Sequence, residues 1–275
     1  MRLDEAIDEF LSSLRAEGRS ARTVDAYRRD LALLVADVGP DRLVGSVRPP
    51  DLLRFAASDR VRLKADGGPR DPSSVNRLRS AVRGLFAFLV RAWHIERDPA
   101  QVLRVKSTQP PPPPVLGRGE EVRLLGALEA ETTWEAHRDR LLVRVLLATG
   151  LRVSALVGLD AGDIDVEGGR LLYAAKGGHR QAVPIDAGLA AELVELAADG
   201  PVCATRQGRR MSVRQVQTRL AMWSARAGLG GRLHPHRLRH TFGTRRYAET
   251  KDLRAVQVAL GHRSVLTTQR YVAAG

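Results

Sequence analysis

Five consecutive prolines, Pro110–Pro114, constrain the folding of this 275-residue chain more than any other feature of its sequence. Such a run cannot lie within a helix or a sheet ladder, because proline lacks the backbone N–H and clashes with the preceding turn. It favours an extended polyproline segment of roughly 3 Å per residue. Since regular patterns flank it, we interpret 106–117 as a semi-rigid linker rather than a proline-motif ligand. Two domains are therefore expected, 1–105 and 118–275.

The segment before the linker has helical periodicity. Apolar residues recur at intervals of three and four from Leu3 to Leu14. Ser20 is expected to cap a second helix, and Pro49 to begin a third. Either Ser73 or Ser74 is expected to begin a long fourth helix. The sequence predicts a bundle of four or five helices with arginines on its outer surface.

After the linker, the pattern mixes long helices with one short sheet. The residues from Asp163 to Ile185 alternate with a period of two around glycine turns, which predicts an antiparallel meander of three strands. Gly150 is expected to end the helix before it. Helices are predicted over 118–131, 136–149, 153–159, 187–198, 212–227, 236–248, 252–260 and 264–271. The expected fold class is mainly α with a small antiparallel β-sheet, made of a helical bundle and an α+β domain.

The composition restricts the partners. The net charge is +13, with 40 arginines and four lysines. It is divided as +5 over 1–117 and +8 over 118–275. Coding composition can inflate arginine usage, but the excess attracts polyanions, of which nucleic acid is the commonest.

A single cysteine, Cys203, excludes an intramolecular disulfide framework and a cysteine-based zinc cage. No apolar run approaches the ~20 residues of a membrane span. A cytoplasmic protein without a membrane partner is expected.

The segment His236-Arg237-Leu238-Arg239-His240 contains groups suited to phosphate chemistry. His236 and Arg239 are three residues apart and share a helix face. A guanidinium can donate two hydrogen bonds to phosphate oxygens while an imidazole relays protons. A solvated basic face would explain the arginines but not the histidines. His236 and His240 also have the spacing of a metal pair, but no third ligand follows at a suitable distance. We therefore expect no metal.

Three further segments contain isolated residues of possible chemical use. Tyr271 follows His262 by nine residues; a phenol is a usable nucleophile only where a base or nearby cations favour its phenolate. Arg152 follows Gly150 and is expected in the first turn of the next helix. Lys176 lies on a glycine turn between strands, where a lysine is either a surface charge or an acid delivered to a reacting oxygen.

Together these segments resemble the tyrosine recombinases, the family of phage integrases and Xer-type recombinases. The N-terminal half contains the family's core-binding pattern at Ser20-x-x-Thr23-x-x-x-Tyr27 and over 73–100. The C-terminal half contains, in family order, segments over 148–159, 174–185, 236–244 and 260–271. The resemblance implies that Arg152 and Arg239 bind the scissile phosphate and that Tyr271 is the nucleophile. It also implies that Lys176 protonates the leaving 5′-oxygen. His236 would take part in proton transfer involving the tyrosine, and His262 would donate to a phosphate oxygen.

The resemblance also implies the activity and the partners. A site-specific recombinase would cleave and rejoin double-stranded DNA through a 3′-phosphotyrosyl intermediate, with no metal, ATP or other cofactor. It would act in Xer-like resolution or in integration and excision of mobile elements. Its two domains would grip the DNA as a C-shaped clamp, within a homo- or heterotetramer on paired sites. Accessory DNA-bending or directionality proteins are possible partners.

Two departures from the family pattern leave alternatives open. The family usually has an acidic residue three positions after the first arginine, where this chain has Ala155. Many relatives also continue into a further helix, whereas this sequence ends four residues after Tyr271. These departures motivate a non-catalytic DNA-binding regulator as the alternative function. A type IB topoisomerase would share the chemistry, but the N-terminal core-binding pattern argues against it.

Overall fold

The computed structural model describes residues 1–105, 115–174, 179–231 and 233–261. The chain divides into two compact units, Met1–Pro110 and Pro111–Gly275, and the boundary falls within the proline run. Three of the predicted site residues, Lys176, His262 and Tyr271, and the predicted helix over 264–271 lie outside the described residues.

The first unit is helical, as the periodicity predicts. Its helices are α1 (Leu3–Ala16), α2 (Ala21–Val38), α3 (Pro49–Ala57), α4 (Asp59–Arg62) and α5 (Pro72–Arg91). Ser20 caps α2 as expected, because its hydroxyl accepts a hydrogen bond from the Thr23 N–H at 3.2 Å.

The predicted start of α5 at Ser73 or Ser74 is wrong. Asp71 is the N-cap, and its carboxylate accepts from the Ser73 N–H at 2.8 Å. Pro72 takes the first helical position, where its fixed φ fits and its missing N–H has no cost.

One apolar core holds the first unit together. Its members are the inward faces of α1, α2, α3 and α5, and most of them are fully buried. The core also covers a buried carboxylate: Asp30 on α2 accepts two hydrogen bonds from Arg77 on α5, at 2.8 and 2.9 Å. This bidentate pair fixes the two helices against each other.

The second unit combines seven described helices with one sheet. The helices are α6 (Arg118–Glu129), α7 (Trp134–Thr149), α8 (Val153–Gly158), α9 (Ala187–Ala197), α10 (Val213–Arg226), α11 (Pro235–Thr250) and α12 (Leu253–Leu260). The strands are β1 (Ile164–Asp165), β2 (Arg170–Ala174) and β3 (Arg180–Pro184), paired antiparallel in the order β1-β2-β3. The predicted fold class, mainly α with a small antiparallel sheet, is confirmed. No helix in the described ranges has the length and hydropathy to cross a membrane.

Helix α7 lies at the centre of this unit and packs against α6, α9 and α11. It contains a buried carboxylate, Asp139, which organises the contact with α10. Asp139 accepts from Arg138 at 2.7 and 3.0 Å, from Arg219 at 2.6 Å and from the Trp223 indole N–H at 2.7 Å. The charge of this carboxylate is therefore compensated by two guanidiniums, as a buried charge requires.

Candidate active site

Arg239 is held in place by the C-terminal ends of two helices. It lies on α11, and 7% of it is exposed. Its guanidinium donates to the main-chain carbonyl of Gly150 at 2.5 Å and to that of Leu260 at 2.6 Å. Gly150 is the C-cap of α7 and Leu260 is the last residue of α12. Carbonyls at helix ends lack intrahelical partners and carry partial negative charge, so a guanidinium stabilises both.

Gly150 permits this convergence. Its φ of +61° lies in the left-handed region, which confirms it as the expected end of α7. A Cβ at this position would lie 2.9 Å from the Leu260 side chain and closer still to the Phe242 ring. Only glycine therefore lets α7, α11 and α12 approach closely enough for Arg239 to reach both carbonyls.

Arg152 and Arg239 line one cavity of about 360 Å³ in the second unit. Arg152 is the N-cap of α8, one residue earlier than the first-turn position that the sequence predicts. Ala155 also lines the cavity, and none of its described lining residues is an Asp or a Glu. Two arginines therefore line one cavity, and a guanidinium is a group that can donate paired hydrogen bonds to the oxygens of an anion.

Tyr173 is a cavity residue that sequence reasoning missed. It lies on β2, is 8% exposed, and lines the cavity beside the two arginines. Its hydroxyl donates to Oε1 of Gln181 at 2.9 Å. Burial raises the pKa of its phenol, although the positive charges of Arg239 and Arg152 partly oppose that shift. Tyr173 is therefore a neutral hydrogen-bond donor. The alternation of residues along β2 places Tyr173 on the inward face, and this was the sequence signal that could have identified it.

His236 is the third predicted site residue that the structure describes, and it has a different position. His236 is the second residue of α11 and is exposed, whereas Arg239 on the same helix is buried. His236 is not among the described residues that line the cavity. Of the three predicted site residues that the structure describes, it thus brings together Arg152 and Arg239. Within the described part of the chain there is no group of three or more His, Cys, Asp or Glu arranged to hold a metal ion.

Helix α11 is anchored to the residues that follow the linker. The Leu116 N–H donates to the Thr241 hydroxyl at 2.9 Å, in a buried position. Arg237 donates to Glu120 at 2.6 Å, and Arg245 pairs with Glu121. The hydrogen bond from Arg237 lowers the pKa of the Glu120 carboxyl below its ordinary value. These contacts fix the helix that carries Arg239 to the start of α6.

The sequence matches a known family over both units. Residues 115–275 match the phage integrase family, and residues 7–92 match the SAM-like N-terminal domain of phage integrases. The chain therefore belongs to the phage integrase family. Within that family it is a tyrosine site-specific recombinase.

Curated relatives align along nearly the whole chain. The tyrosine recombinase XerC of Xylella fastidiosa (strain 9a5c) is 35% identical over 280 residues, which cover 98% of this chain and 92% of that protein. The tyrosine recombinase XerC of Pseudomonas aeruginosa is 35% identical over 283 residues, covering 98% and 90%.

Solved structures share the fold at lower identity. A lambda integrase dimer bound to a COC′ core site matches with a TM-score of 0.77 at 18% identity, covering 98% of this chain and 95% of that one. The XerH site-specific recombinase bound to palindromic difH substrate matches with a TM-score of 0.73 at 20% identity, covering 94% and 78%.

Proposed function

We propose that this protein cleaves and rejoins double-stranded DNA at specific sites through a 3′-phosphotyrosyl intermediate, with Tyr271 as the nucleophile. The single observation that carries the proposal is the convergence of Arg152 and Arg239 on one cavity. DNA as the substrate is supported by solved relatives bound to a COC′ core site and to a Holliday junction, the latter as a tetramer. Residues 1–105 would bind DNA, and 118–275 would bind DNA and cleave it.

The two guanidiniums would stabilise the transition state. When the Tyr271 oxygen attacks the phosphorus, negative charge builds on the non-bridging oxygens, and fixed positive donors stabilise that charge. The bond from phosphorus to the 5′-oxygen breaks as the bond to tyrosine forms. Lys176 would give the 5′-oxygen its proton, His236 would take part in removing the phenol proton, and His262 would donate to a phosphate oxygen.

Rejoining reverses these bonds. The free 5′-hydroxyl of a partner strand loses its proton as it attacks the phosphorus of the phosphotyrosine. The bond from phosphorus to the tyrosine oxygen breaks, and that oxygen takes up a proton. Because one phosphodiester is exchanged for another of similar energy, no ATP is consumed. An assembly of four protomers on two paired sites would place each 5′-hydroxyl near a neighbour's phosphotyrosine.

The orientation of Arg239 bears on the regulator alternative. Ala155 removes a carboxylate that usually orients this site in the family. In this chain the Arg239 guanidinium is oriented instead by the carbonyls of Gly150 and Leu260. The arginine that would bind phosphate is therefore held in position without the acid, which supports a working enzyme.

Incubation with a nicked suicide duplex tests this function. The duplex carries the site that the protein selects from a random-sequence DNA library, and a chelator is present throughout. We expect a covalent protein–DNA complex that survives detergent. A protein that binds its selected site tightly but never forms the complex would be a regulator. Relaxation of supercoiled DNA without site preference would instead indicate a topoisomerase.

A further inference from the structure

A hydrogen-bonded pair on the sheet packs against the end of α12. Tyr173 on β2 and Gln181 on β3 face each other directly across the strand pairing, and the Tyr173 hydroxyl donates to the Gln181 Oε1 at 2.9 Å. A Cβ placed on Gly261 would lie 3.1 Å from that Oε1 and 3.5 Å from the Tyr173 hydroxyl. Gly261 is the left-handed C-cap of α12, with φ +59°. The backbone of this turn therefore lies against the pair, and its left-handed conformation favours glycine.

The same turn orients a phosphate-binding arginine. Leu260 precedes Gly261, and its carbonyl accepts from Arg239 at 2.6 Å. The peptide unit that joins Leu260 to Gly261 is planar and rigid, so a displacement of Gly261 also moves the Leu260 carbonyl. The chain of contacts runs from Tyr173 and Gln181 through the Gly261 turn to the guanidinium.

We propose that Tyr173 is a positioning residue for the arginine site: paired with Gln181, it fixes the end of α12, and the Leu260 carbonyl then orients Arg239. The inference rests on the proposed function, since it assigns Tyr173 a role in that reaction without contact with the reacting atoms. The ring of Tyr173 also forms part of the cavity wall beside Arg152. A phenylalanine would preserve that wall and remove only the hydroxyl, which makes the hydroxyl separately testable.

The test compares Tyr173→Phe with wild type under single-turnover conditions on the nicked suicide duplex. Adduct formation is expected to slow about three- to tenfold, the change that one lost net hydrogen bond produces. DNA affinity should remain unchanged, and the melting temperature should fall by no more than the roughly 2–4 °C that one lost hydrogen bond produces. Tyr247→Phe is the matched control, since it removes the same hydroxyl from α11, where that hydroxyl has no hydrogen-bond partner among the described residues. It should react at the wild-type rate.

A second substrate distinguishes a role of Tyr173 in positioning Arg239 from a role in packing alone. A methylphosphonate at the scissile position removes one charged oxygen and weakens the contact that Arg239 makes. If Tyr173 acts through Arg239, the Tyr173→Phe defect should shrink to less than about twofold on this substrate. Equal defects on both substrates, or no defect on either, would overturn the proposal.

Amide hydrogen exchange gives a result that does not depend on activity. Loss of the Tyr173 hydroxyl should accelerate exchange of the Leu260 and Gly261 amides, while α9 remains unaffected. If wild type forms no adduct but this acceleration occurs, the proposed function fails and the structural link from Tyr173 to α12 stands. Unchanged exchange in Tyr173→Phe would overturn that link whether or not the enzyme is active.

Discussion

Arg239 donates a 2.6 Å hydrogen bond to the main-chain carbonyl of Leu260, 21 residues further along the chain. The end of one helix thus orients an arginine of another. A main-chain carbonyl cannot be protonated at neutral pH and cannot rotate away as a side chain can. The orientation of this guanidinium therefore depends on the packing of α11 against α12 and α7.

Replacing Arg239 by lysine tests this arrangement. Lysine keeps the positive charge, but a single ammonium cannot reproduce the planar fork that spans two carbonyls and still faces the cavity. We expect Arg239→Lys to slow adduct formation by about 10²-fold or more, the scale for losing one transition-state donor. DNA binding, measured by a mobility shift, should change little. A wild-type rate in this variant would show that charge alone is sufficient.

Gly150→Ala should unfold more easily than wild type. The substitution introduces a Cβ into a left-handed residue and into the side chains of Phe242 and Leu260. We expect a loss of roughly 2–4 kcal/mol in the free energy of unfolding, measured with urea. Gly126→Ala is the control, because Gly126 lies inside α6 with open space around it. That change should stabilise the protein by about 0.5–1 kcal/mol. Similar losses of unfolding free energy in the two variants would contradict the special role of Gly150.

Asp139→Asn should destabilise the second unit strongly. The substitution removes the negative charge that compensates two guanidiniums, one of them on the buried Arg138. Breaking a buried ion pair typically costs about 3–5 kcal/mol, which denaturant unfolding followed by tryptophan fluorescence would detect. Asp37→Asn on the exposed surface of α2 should change stability by less than about 0.5 kcal/mol. A stability equal to wild type would mean that the network contributes no net energy.

The Glu120–Arg237 pair predicts a pH dependence. The hydrogen bond from Arg237 holds the pKa of Glu120 below its ordinary value of 4.5. The pair therefore stabilises the fold fully above that value and loses its contribution as pH falls through the lowered pKa. Glu120→Gln should be less stable than wild type at pH 7, and the difference should shrink below about pH 4.5. A constant difference between pH 7 and pH 3 would contradict this origin of the pKa shift.

Local sequence signals predicted most of the elements. Apolar periodicity identified the described helices other than α4, and the change to period two identified the sheet. Gly150 was predicted because a left-handed helix end favours glycine irrespective of tertiary packing. The start of α5 was mispredicted at Ser73 or Ser74, because the stronger capping signal of Asp71 followed by Pro72 was overlooked.

Contacts between distant residues were not predictable in the same way. The hydrogen bond from Arg239 to Leu260 depends on how α11 packs against α12, which no local pattern encodes. Alternation in β2 shows that Tyr173 points inward, but not that it meets the arginines. Motif resemblance selected Arg152 and Arg239, and both line the same cavity. The catalytic roles of all six residues stay predictions: Arg152, Lys176, His236, Arg239, His262 and Tyr271.

Mapping the covalent attachment tests the central claim most directly. The adduct from the nicked suicide duplex would be digested with protease and nuclease, and the peptide carrying the residual nucleotide identified by mass spectrometry. We predict attachment at Tyr271, loss of the adduct in Tyr271→Phe, and unchanged DNA affinity in that variant. Attachment at another residue, or an adduct that persists in Tyr271→Phe, would contradict the proposed mechanism.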